Sequence, residues 1–227
     1  MRSVEQVLQL DSANAIVPTL RGAAAYQLGR HKEAAEFLVR AVEARPDFVE
    51  VLNSLGNVLR ELGDSDGTAT AFRRAIDLRP HFVSAQYNLG STFSDQNAYA
   101  AYQIAVRLQP DHAPSHYNFG NAYARSSKPE EAAVAFQRAI ALAPALAQAH
   151  NNLGNALRAL GRPGKSIAAF ERAIEIQPGY GMALTNMGTA HSELGDKDAT
   201  IEAYERAIAV QPDPAEAHSN LGNVFKD

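Results

Sequence analysis

Apolar residues recur three and four positions apart over short runs of this chain, and the runs end near glycine or proline. In residues 147–180 the first run extends to Leu160 and Gly161, where glycine favours the C-terminal cap of a helix. A second run covers residues 166–176, and Pro178 then prevents the helix from continuing. The pattern therefore predicts two helices joined by a short turn.

This helix–turn–helix pattern recurs along almost the whole chain with a period of 34 residues. A glycine preceded by an apolar residue marks each copy, at Gly56, Gly90, Gly120, Gly154, Gly188 and Gly222, with a weaker copy at Gly22. We expect a lone second helix in residues 1–14 and a lone first helix in residues 215–227. Between them we expect six repeats, at residues 15–48, 49–82, 83–112, 113–146, 147–180 and 181–214.

The third repeat, residues 83–112, is four residues shorter than the others. Four residues are close to one helical turn, so the second helix of this repeat can keep its facing while the hairpin shortens. Alternatively, the recorded sequence lacks four residues of the repeat.

Small and large residues occupy fixed positions in the repeats. Counted from the first residue of each repeat, the recurrent glycine is position 8. A glycine inside a helix costs about 1 kcal/mol relative to alanine, so its recurrence implies that a neighbouring helix passes too close for a Cβ atom. Position 24 is leucine, phenylalanine or tyrosine, and position 27 is always alanine. These positions predict helices that interlock within and between repeats.

The period, the Leu-Gly pair, the aromatic residue followed three positions later by alanine, and the closing proline together resemble the tetratricopeptide repeat. The resemblance implies an all-α fold, a right-handed α-solenoid superhelix of antiparallel helix pairs, with the first helices on its concave side. Unpaired terminal helices would expose apolar residues such as Leu221, Val224 and Phe225. We therefore also expect end-to-end association into a homo-oligomer.

Asparagine recurs on one side of the first helices, at positions 6 and 9, opposite the packing positions. Asparagine is a poorer helix former than the lysine and glutamate that usually cover a solvated face. Its carboxamide offers one acceptor and two donors, which match a peptide unit. We therefore predict that these residues hold an extended peptide by its main chain. This asparagine ladder comprises Asn88, Asn118, Asn152, Asn186 and Asn220 at position 6, and Asn57, Asn121, Asn155 and Asn223 at position 9.

Three further candidate residues lie beside the ladder at position 5. Tyr87 and Tyr117 are placed to contact a ligand side chain, or alternatively to fill space between packed helices. Asn151 adds a third carboxamide to the helix that contains Asn152 and Asn155. The alternative interpretation of the asparagines is that they bond to a neighbouring helix, or persist from duplicated repeats.

Successive first helices that contain Asn-Leu-Gly are similar to the superhelical repeat region of O-linked N-acetylglucosamine transferases. That resemblance implies a concave row of asparagines that holds substrate peptides. It also raises the alternative that this chain is the substrate-recruiting arm of a larger glycosyltransferase. A self-assembling structural array is a third hypothesis.

Charge and composition narrow the class of partner. The net charge is −4 and the basic residues form no block, which argues against a nucleic-acid groove or an anionic membrane surface. No apolar run reaches the length of about 18 residues that a membrane span requires. The N-terminal residues also lack the apolar run of a signal peptide. We expect a cytoplasmic protein whose partner is a protein or an extended peptide.

No pattern predicts catalysis, a cofactor or a metal site. His116, His150 and His218 all occupy position 4, a packing position, and successive repeats should lie about 10 Å apart. Zinc ligands must instead converge to about 2.1 Å from the metal. No nucleophile motif or phosphate-binding loop is present. The sequence therefore predicts a non-enzymatic binding scaffold.

Overall fold

The computed structural model describes residues 15–92, 96–210 and 215–224. These ranges contain thirteen α-helices and no strand. The helices belong to two compact units, residues 1–110 and residues 111–227. The lone second helix expected in residues 1–14 lies outside the described residues.

The first unit contains three pairs of helices, in which odd numbers mark first helices and even numbers mark second helices. Each helix packs against the next one along the chain, and α1 and α5 also contact α3. The helices are α1 (Ile16–Gln27), α2 (His31–Ala44), α3 (Val49–Glu61), α4 (Ser65–Leu78), α5 (Val83–Thr92) and α6 (Gln96–Leu108).

The second unit contains three further pairs and one additional first helix. Its first helices contact one another in succession, so α9 touches both α7 and α11, and α11 touches α13. The helices are α7 (Ala113–Arg125), α8 (Pro129–Leu142), α9 (Ala147–Ala159), α10 (Pro163–Ile176), α11 (Gly181–Glu193), α12 (Lys197–Val210) and α13 (Ala215–Val224). The predicted all-α fold of paired helices is confirmed.

The recurrent glycine at position 8 is a point of close approach between the two helices of a pair. A Cβ atom added to Gly120 would lie 2.6 Å from the Phe136 ring, and one added to Gly188 would lie 2.6 Å from Tyr204. Real Cβ atoms essentially never approach a neighbour this closely. The prediction that a helix passes too close for a Cβ is confirmed, and the helix concerned is the second helix of the same repeat.

The short third repeat keeps this packing. A Cβ atom on Gly90 would lie 2.8 Å from the Tyr102 ring, and Ala105 at position 27 is fully buried. The second helix therefore retains its facing, as the loss of about one turn predicts.

The turn between the two helices of a repeat needs a residue with positive φ. Gly161 has φ of 67° directly after the C-cap of α9, which confirms its predicted role at the helix end. Ser127 occupies the equivalent place after α7 with φ of 54°. A residue other than glycine is disfavoured in this conformation by about 1–2 kcal/mol.

Candidate functional site

The ladder residues lie along the same side of the first helices, and most of them are partly accessible. Each of them is half-buried except Asn223, which is exposed. The packing positions of these helices face the opposite way, as shown by the buried Leu52, Leu157 and Leu184. The structure thus gives the ladder the facing that the sequence periodicity predicts.

In the second unit, four carboxamides form a continuous chain of hydrogen bonds, which we call the carboxamide relay. Asn186 Nδ2 on α11 donates to Asn151 Oδ1 on α9 at 3.0 Å, and Asn151 Nδ2 donates to Asn152 Oδ1 at 3.0 Å. Asn152 Nδ2 then donates to Asn121 Oδ1 on α7 at 2.8 Å. The relay therefore joins three successive first helices through side chains alone.

The first unit contains a shorter version of this arrangement. Asn88 Nδ2 on α5 donates to Asn53 Oδ1 on α3 at 2.9 Å. Arg60 donates to Asn57 Oδ1 at 3.1 Å and to Ser91 Oγ at 3.2 Å. Bonding to a neighbouring first helix, the alternative interpretation of the asparagines, is thus observed at Asn88, Asn152 and Asn186.

The relay leaves specific polar groups unused at its two ends. Among the described residues, Asn186 Oδ1 accepts no hydrogen bond, and Asn121 Nδ2 donates none. Both residues are half-buried. One end of the relay therefore offers an acceptor, and the other end offers a donor group with two N–H bonds.

Asn151 differs from the other candidate residues because it is buried. Its relative exposure is 1%, and both ends of its carboxamide are engaged within the relay. Its place is inside the protein, between α9 and α11. Sequence reasoning missed Asn53, which plays the corresponding part in α3. Asn53 could have been found from the sequence, because it occupies position 5 of its repeat, as Asn151 does.

Tyr87 and Tyr117 are half-buried, and both rings pack against the aromatic residue at position 24 of their own repeat. The ring centroids lie 6.1 Å apart for Tyr87 and Tyr102, and 6.0 Å apart for Tyr117 and Phe136. The Tyr117 hydroxyl also accepts from Asn152 Nδ2 at 3.4 Å. Helix packing is therefore observed for both tyrosines, and Tyr117 in addition touches the relay.

The charged groups beside the ladder are few. Arg158 on α9 forms an ion pair with Glu193 on α11 at 2.9 Å. In the first unit, Arg79 lies 2.6 Å from Glu50, and its hydrogen bond holds the pKa of that carboxyl below its usual range. Burial raises the pKa of the Tyr180 hydroxyl, and nearby Tyr117 adds a smaller effect.

The histidines at position 4 do not converge. His150 is buried, as its packing position predicts, and its ring Nε2 lies 2.9 Å from the carbonyl oxygen of Pro144. His218 is exposed, in contrast to that expectation. His112 precedes α7 as its N-cap residue. No group of three or more metal-ligating side chains was found among the described residues.

None of the helices in the described part of the chain is both long enough and apolar enough to cross a bilayer.

Models of protein families match almost the whole chain. Models described as tetratricopeptide repeats match residues 2–47, 53–113, 96–146 and 117–181, and a further repeat model matches residues 188–227. This chain belongs to the tetratricopeptide repeat family. No curated protein sequence shows significant similarity to it.

Solved structures of tetratricopeptide repeat proteins share this fold. YrrB, described as having an unusual peptide-binding site, is 21% identical with a TM-score of 0.72, over 82% of this chain and 97% of its own. MamA is 28% identical with a TM-score of 0.68, over 74% of this chain and 94% of its own. PilW, a type IV pilus biogenesis factor, is 17% identical with a TM-score of 0.77, over 91% of this chain and 98% of its own.

Proposed function

We propose that this tetratricopeptide repeat protein is a non-enzymatic scaffold that binds an extended segment of a partner protein along the first helices of its second unit. Unused amide groups of the asparagine ladder bond to the main chain of that segment. Recognition of the main chain makes the binding largely independent of the partner's sequence. Asn57 and Asn88 form a corresponding set in the first unit.

The observation that carries this proposal is the pair of unused groups at the ends of the carboxamide relay. Asn186 Oδ1 matches a peptide N–H, and Asn121 Nδ2 matches a peptide carbonyl. The relay bonds restrict the rotamers of Asn152 and Asn186 before any ligand arrives. A binding surface ordered in advance loses less conformational entropy on association.

In this arrangement Asn151 is a positioning residue. Its buried carboxamide accepts from Asn186 and donates to Asn152, so it sets the orientation of two ladder side chains without reaching the ligand. Chains of hydrogen bonds also strengthen each bond by mutual polarisation.

The family adds support for the class of ligand. YrrB shares the fold and is described as having a peptide-binding site, so this type of helix array can accommodate a peptide. The cytoplasmic location expected from the sequence remains a prediction.

The test replaces Asn118, Asn152 and Asn186 together with alanine. Peptides selected from a random twelve-residue display library against the wild-type protein serve as probes, and fluorescence anisotropy gives their Kd. Loss of the main-chain bond of Asn186, together with the Asn152 bond that orients Asn121, should weaken binding by about tenfold or more. Circular dichroism checks that the helices remain.

A matched control replaces three exposed residues of the second helices with alanine. They occupy position 25 of the three full repeats in the second unit: Gln137, Glu171 and Glu205. This control variant should bind the selected peptides as the wild type does. Equal Kd values for the ladder variant and the wild type, with helicity retained, would reject the ladder as the binding surface.

Two alternative functions remain proposals of lower rank. The first alternative is a substrate-recruiting arm of a larger glycosyltransferase, which would use the same ladder. Ladder substitutions made in that larger enzyme should then lower its glycosyltransferase activity. End-to-end assembly is the second alternative, proposed from the apolar residues of the terminal helices. Light scattering over a range of concentrations tests assembly directly.

A further inference from the structure

Two pockets open beside the ladder in the second unit, each between one repeat and the first helix of the next. The first pocket has a volume of 560 Å³ and is bounded by α7, α8 and α9. The second pocket has a volume of 450 Å³ and is bounded by α11, α12 and α13. Both volumes lie within the range of about 300–1,000 Å³ that is usual for ligand sites.

The two pockets are built from equivalent positions two repeats apart. Each is lined by the aromatic residue at position 24 and by the asparagines at positions 6 and 9 of the following repeat. These residues are Phe136, Asn152 and Asn155 in the first pocket and Tyr204, Asn220 and Asn223 in the second. Because ladder asparagines line both pockets, a peptide main chain that follows the ladder passes each of them.

A long side chain stands at the equivalent place in the repeat between them. Position 12 is Ala124 in the first pocket and Ser192 in the second. In the intervening helix α9, position 12 is Arg158, which extends to Glu193 at 2.9 Å. The two pockets therefore lie two repeats apart, with Arg158 at the equivalent position of the repeat between them.

The linings of the two pockets differ in chemistry. The first is mostly apolar, with Ala124, Ala156, Ala159 and Pro129 around the Phe136 ring. In the second, position 17 changes from Pro129 to Lys197, position 12 changes from Ala124 to Ser192, and Thr189 and Thr200 add further hydroxyl groups. The first lining suits an apolar side chain, and the second suits an anionic or strongly polar one.

The charges favour a ligand with negative character. Arg125 contributes to the first pocket and Lys197 to the second, and no acidic residue of the described part of the chain lines either one. Neither Arg125 nor Lys197 has an ion-pair partner among the described residues. A carboxylate of the partner would thus meet an uncompensated cation in the second pocket.

We propose that the two pockets select one extended peptide by two side chains, an apolar residue in the first pocket and an aspartate or glutamate in the second. The inference rests on the proposed function, in which the ladder holds the main chain. Two repeat steps of about 10 Å each separate the pockets. An extended chain advances about 3.3 Å per residue, so the two anchor residues lie about six positions apart.

The test uses synthetic peptides in which one leucine and one glutamate are placed in an alanine–serine host at separations of two to ten residues. Both orders of the two residues are included, and a host peptide without either residue is the reference. Fluorescence anisotropy should show the tightest binding at a separation of about six residues in one of the two orders. Each anchor should improve Kd by about tenfold or more over the host peptide.

Two variants then assign each anchor residue to its pocket. Ala124→Arg places in the first pocket the residue that the next repeat carries naturally at this position, and Ala124 is exposed, so the helix should tolerate it. It should remove the benefit of leucine and leave that of glutamate. Lys197→Glu should reverse the preference in the second pocket, so that a peptide with lysine in place of glutamate binds more tightly.

Three outcomes separate this inference from the proposed function. Binding of the host peptide without any effect of leucine, glutamate or their separation would reject the two pockets but leave the ladder in place. An optimal separation that Ala124→Arg and Lys197→Glu both leave unchanged would show that the anchor residues bind elsewhere, which also rejects the inference. Absence of binding by every peptide, including those obtained from the display library, would reject the proposed function and this inference together.

Discussion

At the scale of single residues, the glycine at position 8 controls how closely paired helices approach. Alanine normally stabilises a helix by about 1 kcal/mol relative to glycine. At Gly154 the added methyl group would collide with the Phe170 ring, so the packing cost opposes the gain in helix propensity. Phe170 is fully buried and has little room to move. Packing therefore decides whether alanine at this position stabilises or destabilises the protein.

We predict that Gly154→Ala lowers the free energy of unfolding by about 1–3 kcal/mol, the usual cost of overpacking a core. Urea denaturation followed by circular dichroism measures the change. Gly164→Ala is the matched control, because Gly164 lies in the first turn of the next helix and its Cβ would meet no atom within 4 Å. The control should be neutral or stabilising. A Gly154→Ala protein that is also more stable would contradict the close-packing argument.

At the scale of helices, the first helices are linked by hydrogen bonds between side chains as well as by apolar packing. Asn151 is the central member of the relay, since it bonds to both Asn152 and Asn186. Its burial means that its removal leaves polar groups of two neighbours without partners. A buried group left unsatisfied costs about 1–3 kcal/mol.

We predict that Asn151→Ala destabilises the protein by about that amount and also weakens binding of the selected peptides, because Asn152 and Asn186 lose their fixed orientation. Asn155→Ala is the control for stability in the same helix; because Asn155 belongs to the ladder, it is not a control for binding. Asn155 Oδ1 is buried and has no hydrogen-bond partner among the described residues, so its loss should change stability little. Chemical denaturation and anisotropy give the two quantities. Equal losses of stability for both variants would show that the relay adds nothing specific.

The helix scale is also where sequence reasoning reached its limit. Periodicity placed the asparagines on the correct side of the helices, because a period of 3.6 residues fixes facing. It did not show that Asn186 bonds to Asn151, or that Asn88 bonds to Asn53. Those bonds depend on the distance between helices and on side-chain rotamers, which no spacing within one helix determines. The two pockets escaped notice for the same reason, since three helices bound each of them.

At the scale of the whole molecule, the 34-residue period was sufficient to predict the paired helices, since each repeat encodes the same local packing. The division of the chain after Pro110 was not predicted. It falls near the end of the shortened third repeat, which the sequence marked as irregular. In repeat proteins, stability is approximately a sum of contributions from each repeat and its immediate neighbours. A local loss of packing should therefore have a local effect.

We predict that Phe170→Ala destabilises the second unit while the first unit stays protected, and that Phe72→Ala does the reverse. Both rings are fully buried at position 24 of their repeats, and each is replaced at a cost of about 3–5 kcal/mol. Hydrogen exchange read by mass spectrometry in moderate urea resolves the two units. Phe170→Ala should speed exchange in α9–α12 and leave α2–α4 close to wild type. Loss of protection in both units at the same urea concentration, for either variant, would show instead that the chain unfolds as one cooperative array.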